Sequence, residues 1–279
     1  MACKVLIVGC GDLGSAVAER LDQQDFDIYG LRYSNKPLPT GVTLIQADVT
    51  QAASLQALAS LQAEILVYCV AASAQTDEDY KAHYVDGLRN VLSALTPNCL
   101  RHVFFVSSTR VYGQRTDELL DETIPAIPAD FGGERLLEAE SLLKTVGCGA
   151  TVLRLSGIYG PGRTRMIRLA GQPQDWPPQN SWTNRIHRDD AANFIVFLLQ
   201  CVLKKQLVQD CYVVTDSRPS SQYEVLMWLA EKMGVNFNHI SMPEIQGGKR
   251  LSNQRILAEG FAMNYADYQT GYGSLLKNS

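Results

Sequence analysis

An apolar run at residues 4–8 leads directly into Gly9-Cys10-Gly11-Asp12-Leu13-Gly14, and an amphipathic pattern follows at 13–23 with Val17, Ala18 and Leu21 on one face. No other feature restricts the fold of this chain as tightly. A strand that passes through Gly-x-Gly-x-x-Gly into a helix is the opening of a βαβ unit. Each glycine has its own task there. The first permits the tight turn, the second lets the backbone approach a pyrophosphate, and the third lets helix and strand pack closely. The helix N-terminus adds unpaired N–H groups and partial positive charge. Gly9, Gly11, Asp12, Leu13 and Gly14 are therefore the expected phosphate cradle of a dinucleotide. The plainer alternative is a glycine-rich turn that holds no ligand.

The alternation continues along the chain. Strands are expected at 27–31, 42–46, 64–70, 102–107 and 150–155, with helices near 52–61, at 78–95 and at 134–146. In the longest of these helices Tyr80, Tyr84, Leu88, Val91 and Leu95 recur at spacings of three and four, the mark of a buried helical stripe. The strands are nearly continuous in Val, Ile, Leu and Phe, as strands buried on both faces are. The pattern predicts an α/β fold: a Rossmann-like, doubly wound parallel sheet with right-handed crossovers. The second half is less regular. Residues 160–184 are rich in Pro, Gly and Arg, and Pro173, Pro177 and Pro178 oppose any long element, so a substrate-facing loop is expected. A helix at 189–203, a strand at 211–215 and a helix at 222–233 follow. Residues 1–159 plus 189–215 are thus expected to form the dinucleotide-binding domain, and 160–188 plus 216–279 a small C-terminal substrate-binding lobe.

Composition excludes several classes. With 46% hydrophobic and 19% charged residues the chain can build a full core, which rules out global disorder. No apolar run reaches the roughly 18–20 residues of a membrane helix. A net charge of −4 argues against a protein that coats nucleic acid. Cysteines at 3, 10, 69, 99, 148, 201 and 211 form no Cys-x-x-Cys pair and several sit in apolar runs, so reduced thiols in a cytoplasmic protein are expected. The apolar strand begins at once, without the charged leader and cleavable stretch of an export signal. The histidines at 83, 102, 187 and 239 make no ligand spacing with the cysteines, and no metal site is expected. Cys10 reads as a small residue packed beneath the pyrophosphate rather than as a redox switch.

The end of the second strand bears on which nicotinamide cofactor would bind. An acid about 20 residues past the turn would hold the ribose 2′-hydroxyl of NAD. The chain reads Tyr29-Gly30-Leu31-Arg32-Tyr33-Ser34 there. A carboxylate would repel a 2′-phosphate, whereas Arg32 can pair with one through two hydrogen bonds. NADP is favoured; NAD is the choice if Arg32 is an ordinary surface arginine.

Further motifs resemble the short-chain dehydrogenase/reductase superfamily, and more closely its NAD-dependent epimerase/dehydratase branch, which acts on nucleotide sugars. Ala47-Asp48-Val49-Thr50 stands where that family places an Asp against the adenine, and Val70-Ala71-Ala72 where the backbone passes the cofactor ribose. Ser107-Ser108-Thr109-Arg110-Val111-Tyr112-Gly113 resembles the segment ending its fifth strand. Arg154-Leu155 with Tyr159-Gly160-Pro161-Gly162-Arg163, then Arg185-Ile186-His187-Arg188-Asp189-Asp190-Ala191, and Gly248-Lys249-Arg250-Leu251-Ser252-Asn253 resemble later motifs. The resemblance implies cofactor contacts from Asp48, Val49, Ala71 and Ala72, and a substrate-orienting hydroxyl at Ser108, whose plain alternative is a backbone cap. It also implies a homodimer paired through the helix at 78–95 and the helix that carries Arg135.

One element departs from the resemblance. The family's Tyr-x-x-x-Lys pair aligns with Phe131-Gly132-Gly133-Glu134-Arg135. Phe131 has no titratable group and cannot be a general acid or base. Arg135 keeps its charge and its donors, so a ribose contact is possible, but it is a poor proton shuttle. Asp130, Glu134, Tyr112 and His187 are the other candidates for the proton. Arg163, Arg165 and Arg168, followed by Arg185 and Arg188 around His187, suggest a basic mouth for an anionic small molecule, with Tyr112, Arg163, Arg185 and His187 as substrate contacts. Solvated surface charge is the alternative for the arginines, and a structural role for His187. Two functions follow: an NADP-dependent oxidoreductase or epimerase on a small anionic substrate, or a non-enzymatic redox sensor on the same fold.

Overall fold

The computed structural model describes residues 2–96, 98–114, 116 and 118–277. Seven strands build the central sheet: β1 (Cys3–Val8), β2 (Phe26–Arg32), β3 (Val42–Gln46), β4 (Ile65–Tyr68), β5 (His102–Ser108), β6 (Gly149–Leu155) and β7 (Cys211–Val214). Their order is β7-β6-β5-β4-β1-β2-β3. β1 pairs in parallel with β2 on one side (Val5 opposite Ile28) and with β4 on the other (Val5 opposite Ile65). β2 pairs in parallel with β3, and β4 with β5. The chain thus moves outward from β1 to β3, then returns to lay β4 on the opposite side of β1. Beyond the C-terminal ends of β1 and β4 is the topological switch point, where open α/β sheets bind ligands. The fold is the expected Rossmann-like α/β sheet.

Burial follows position in the sheet. Val5, Leu6, Ile7 and Val8 of β1 and all of β4 are solvent-free, whereas β3 at the edge has only half-buried and exposed positions. By internal packing the chain forms two compact units. One comprises 1–113, 126–154 and 191–212; the other comprises 114–125, 155–190 and 213–279.

In the first unit, the helix after β1 is shorter than the amphipathic pattern at 13–23 suggests. It spans Asp12–Ala18, and the Arg20 guanidinium donates to the Ala16 carbonyl at 2.7 Å, satisfying an acceptor at its end. The segment Ala52–Ser60 is a 3₁₀-helix rather than an α-helix. The long helix expected at 78–95 is Asp77–Tyr80 and Gly87–Ala94 joined by a π-helical turn, Lys81–Asp86. The Tyr68 hydroxyl donates to the His83 carbonyl, drawing an acceptor out of the helical ladder. A Cβ at Gly87 would lie 2.6 Å from that hydroxyl, so the glycine makes the insertion possible. The helix after β5 begins at Phe131, ahead of the expected 134, because Asp130 caps it by accepting from the Gly133 amide at 3.0 Å.

In the second unit, the Pro-rich stretch is more ordered than a loop. It holds a helix, Arg165–Ala170, and a strand, Asn180–Thr183. Trp176 and Tyr223 pack edge to face in a core with Leu226, Leu229, Tyr268 and Tyr272. Asn180, fully buried, donates to the Pro243 carbonyl and accepts from the Tyr223 amide. Polar groups that hydrophobic periodicity ignores therefore fix this segment.

His102 at the start of β5 gives the first unit a specific acid sensitivity. It is buried against Phe104, with Nε2 2.9 Å from the Thr151 hydroxyl, and burial holds its pKa down to about 4. The unfolded chain therefore binds a proton between about pH 6.5 and pH 4 that the folded chain refuses, so stability falls as pH drops through that window. Relative to His102→Gln, the native protein is expected to lose about 2 kcal/mol between pH 7 and pH 5 in urea unfolding. Parallel pH profiles for the two proteins would contradict this.

Candidate functional site

The three glycines of the first turn differ in what surrounds them. Gly9 has φ +85°, and a Cβ there would lie 2.6 Å from the Val70 amide nitrogen and 2.7 Å from the Cys69 carbonyl. At Gly14 it would meet the Gly9 carbonyl at 2.7 Å and the Cys69 sulfur at 3.0 Å. At Gly11 it would meet only the Gly9 carbonyl, at 3.9 Å. Packing inside the protein thus requires glycine at 9 and 14 but not at 11, where a Cβ would make only an ordinary contact. The turn is pinned to the sheet: the Gly9 and Cys10 amides donate to the Leu31 carbonyl at 2.9 and 3.0 Å, and the Cys69 amide donates to the Val8 carbonyl at 2.8 Å. Leu13 is buried and Asp12 exposed. Cys10 is fully buried, and desolvation pushes its thiol up despite Ser15 and the Arg32 charge.

That charge places Arg32 beside the glycine turn. Its Nε is buried and has no hydrogen-bond partner. At the end of β3, one Asp48 carboxylate oxygen accepts from the Thr50 amide at 2.9 Å and its hydroxyl at 2.7 Å. Val49 is a core residue whose carbonyl accepts from Asn90 at 2.9 Å. Past β4, Ala71 is exposed and Ala72 half-buried.

At the end of β5 the neighbouring serines separate in role. Ser107 is buried and donates to Glu140 at 2.6 Å. Ser108 is half-buried, and its oxygen caps the turn Thr109–Val111 by accepting from the Arg110 amide at 3.2 Å. Glu140 also takes a two-point ion pair from Arg154, at 3.1 and 2.7 Å, and Arg154 donates to the Tyr112 hydroxyl at 2.7 Å. Burial opposes the Arg154 charge, but the hydrogen bonds and charge of Glu140 outweigh it. Tyr112 therefore lies in the interior, with the Arg154 guanidinium over its ring.

Phe131 packs edge-on against Tyr80 with ring centroids 5.5 Å apart, and the Arg110 guanidinium lies over both rings. Arg110 donates to the Tyr80 hydroxyl at 2.7 Å and to Asp130 at 2.9 Å. A phenol with a cationic donor thus stands beside Phe131, supplied by residues 80 and 110. Sequence reasoning missed this pair because Tyr80 sits in a helical stripe that reads only as core. Arg135 is tied to Asp77 through Nε at 2.7 Å and Nη2 at 2.8 Å, and to Glu138 through Nη1 at 2.7 Å. Glu134 is exposed.

The second unit contains the remaining predicted residues. Arg163 is exposed, on a turn where its amide donates to the Gly160 carbonyl at 2.9 Å. Arg185 and His187 are interior instead, and Arg188 pairs with Asp189 at 3.0 Å. The arginines therefore do not line one basic surface as the sequence suggests. His187 stacks on Tyr265 at 3.8 Å and meets Tyr159 edge-on at 5.2 Å. Burial pushes the Asp216 carboxyl up to about 7, with Arg185 opposing the rise. Among the described residues no cluster of His, Cys, Asp or Glu is placed to hold a metal ion, and no helix is long and apolar enough to cross a membrane.

Comparison with known proteins agrees with this geometry. The model of the NAD-dependent epimerase/dehydratase family matches residues 5–208. A Methylobacillus flagellatus structure, described as a candidate NAD-dependent epimerase/dehydratase, is 50% identical with a TM-score of 0.91, over 100% of this chain and 99% of that one. Protein YeeZ of Escherichia coli K12 is 28% identical over 95% of this chain and 97% of its own length. The Bordetella bronchiseptica enzyme WbmG, solved with NAD and UDP, shares the fold at 18% identity and TM-score 0.79, over 100% of this chain and 96% of that one. This chain belongs to the NAD-dependent epimerase/dehydratase family.

The Arg154–Glu140 pair sustains the end of β5, because it occupies Ser107 and Tyr112 as well. Glu140→Ala leaves a buried guanidinium uncompensated, and a loss of about 3–5 kcal/mol in chemical unfolding is expected. A loss below about 1 kcal/mol would show that the pair is dispensable.

Proposed function

We propose that the chain binds a nicotinamide dinucleotide at Gly9, Gly11, Asp12, Leu13 and Gly14 and acts as an NADP-dependent oxidoreductase or epimerase on a small anionic substrate. The observation that carries the binding is Gly11. A Cβ there would meet only the Gly9 carbonyl oxygen, at 3.9 Å, so packing inside the protein does not require glycine at this position, whereas close approach of a pyrophosphate to backbone does. The site lies at the switch point between β1 and β4, and WbmG, of the same fold, holds NAD and UDP. Arg32 supports NADP over NAD: its buried Nε, beside the glycine turn, lacks an acceptor that a 2′-phosphate would supply. Asp48, Val49, Ala71 and Ala72 would border the adenosine and ribose.

A bound nicotinamide would accept or give hydride. The chain's own residues do the rest. The Ser108 oxygen accepts from the Arg110 amide, which leaves its O–H free to donate to a substrate oxygen. Arg163 is exposed and suits an anionic group. A second reading, a redox sensor without turnover, is favoured by Phe131, which aligns in sequence with the family's proton-transferring tyrosine and packs on Tyr80 and Arg110.

Calorimetric titration tests the cofactor reading. Native protein is expected to bind NADPH more tightly than NADH, and Arg32→Asp to remove the preference; tighter NADH binding by the native protein would reverse the assignment. Gly11→Ala is expected to weaken NADPH binding at least tenfold, roughly the cost of one lost charge-assisted contact. Gly9→Ala is expected to cost mainly folding stability, because its Cβ would overlap backbone. Unchanged affinity in Gly11→Ala would remove the basis for this site. Incubation with nucleotide sugars and cofactor, read by mass spectrometry, decides between enzyme and sensor. Turnover rejects the sensor; activity appearing only in Phe131→Tyr rejects the enzyme.

A further inference from the structure

The second unit contains a group of buried polar atoms that the proposed function does not use. Strand Arg185–His187 pairs in parallel with Gly157–Tyr159, so that Arg185 stands opposite Gly157 and His187 opposite Tyr159. Opposed residues and residues two apart share a face, so Arg185, His187 and Tyr159 lie on one side of this ladder. Asp216 is fastened to the same place, since its amide donates to the Arg185 carbonyl at 2.8 Å. The helix Tyr268–Lys277 covers it: Tyr272 packs on Tyr159 with ring centroids 4.3 Å apart, and the Arg185 guanidinium lies 5.5 Å from the Tyr268 ring. The Tyr159 hydroxyl reaches the backbone of that helix at Gly271, where even a Cβ would collide with it.

Tyr159, Arg185 and Asp216 are 3%, 5% and 1% exposed. Each has one buried polar atom without a hydrogen-bond partner: the Tyr159 hydroxyl, Arg185 Nη1 and Asp216 Oδ2. Three such atoms within one small core are too costly to stand alone, because each unsatisfied buried group costs about 1–3 kcal/mol. The Arg185 charge opposes the rise of the Asp216 carboxyl, yet among the described residues no ion pair or hydrogen bond joins their side chains. A small molecule between the two side chains would stand between a cationic donor and a carboxylate acceptor. An anion there would meet Asp216 and a cation would meet Arg185. The occupant that suits both is neutral, small, and able to accept and donate together.

We propose that an internal water molecule is bound at this place, accepting from Arg185 Nη1 and from the Tyr159 hydroxyl and donating to Asp216 Oδ2. That gives it the three hydrogen bonds typical of a buried structural water. The site thereby locks strand Arg185–His187, the segment after β7 and the helix Tyr268–Lys277 into one arrangement. This inference stands apart from the dinucleotide reading, since it involves no cofactor and no turnover.

A crystal structure of the native protein at about 1.8 Å tests it, together with thermal unfolding of Tyr159→Phe. Density for one isolated atom within about 3.2 Å of all three side-chain atoms is expected. Direct Arg185–Asp216 contact, or density for an anion, would overturn the proposal. Tyr159→Phe is expected to unfold about 2–4 °C below the native protein, because a bound water loses a partner. An unchanged or raised midpoint would mean that the hydroxyl has no partner to lose, and would equally overturn it. Asp216→Asn keeps the shape and an acceptor oxygen, and the density is expected to persist in that variant; its disappearance would count against the assignment.

Discussion

Everything at the candidate dinucleotide site depends on how closely the turn after β1 approaches the chain leaving β4. With φ +85° and no side chain, Gly9 comes within contact of the Cys69–Val70 peptide. Its amide is held by Leu31 of β2, while Val8 accepts from Cys69. Three strands are thereby fixed to one another at the point where the strand order reverses. A larger residue at Gly9 or Gly14 would push the helix and β4 away from β1, and the backbone at Gly11 would no longer be presented. Fold and site are in this sense one constraint, built from backbone distances rather than from functional side chains.

The parts of the structure that such constraints control were legible in the amino-acid sequence. Strand Val42–Gln46 lies where its apolar residues suggest, and the glycine turn stands between strand and helix as its spacing requires. Contacts made across the fold were not legible. The π-helical turn at Lys81–Asp86 depends on a hydroxyl from β4, and no local pattern in that helix announces it. The ordered stretch around Asn180 depends on a buried amide whose partners lie far along the chain. Arg185 reads as part of a basic mouth because arginine is rarely buried alone, and only the fold brings Asp216 to its strand.

The chemistry divides along the same line. Phosphate binding by glycine needs only backbone geometry, and it can be argued from spacing. Proton transfer needs a titratable group at a particular place, and residue 131 lacks one. The structure puts the Tyr80 hydroxyl and the Arg110 guanidinium beside that ring, and gives the Asp130 carboxylate to a helix cap and to Arg110. Ser108, at the end of a parallel strand, carries a hydroxyl proton that its capping bond does not use. In the proposed reading the dinucleotide cradle and the proton chemistry rest on different residues, so one can change without the other.

Hydrogen–deuterium exchange with and without saturating NADPH tests the central claim most directly, since it reads the backbone that the claim concerns. Slowed exchange confined to residues 9–14 and 69–72, with the interior of the sheet unchanged, is the expected result. Binding that leaves residues 9–14 unprotected would contradict the assignment of the glycine turn as the dinucleotide site.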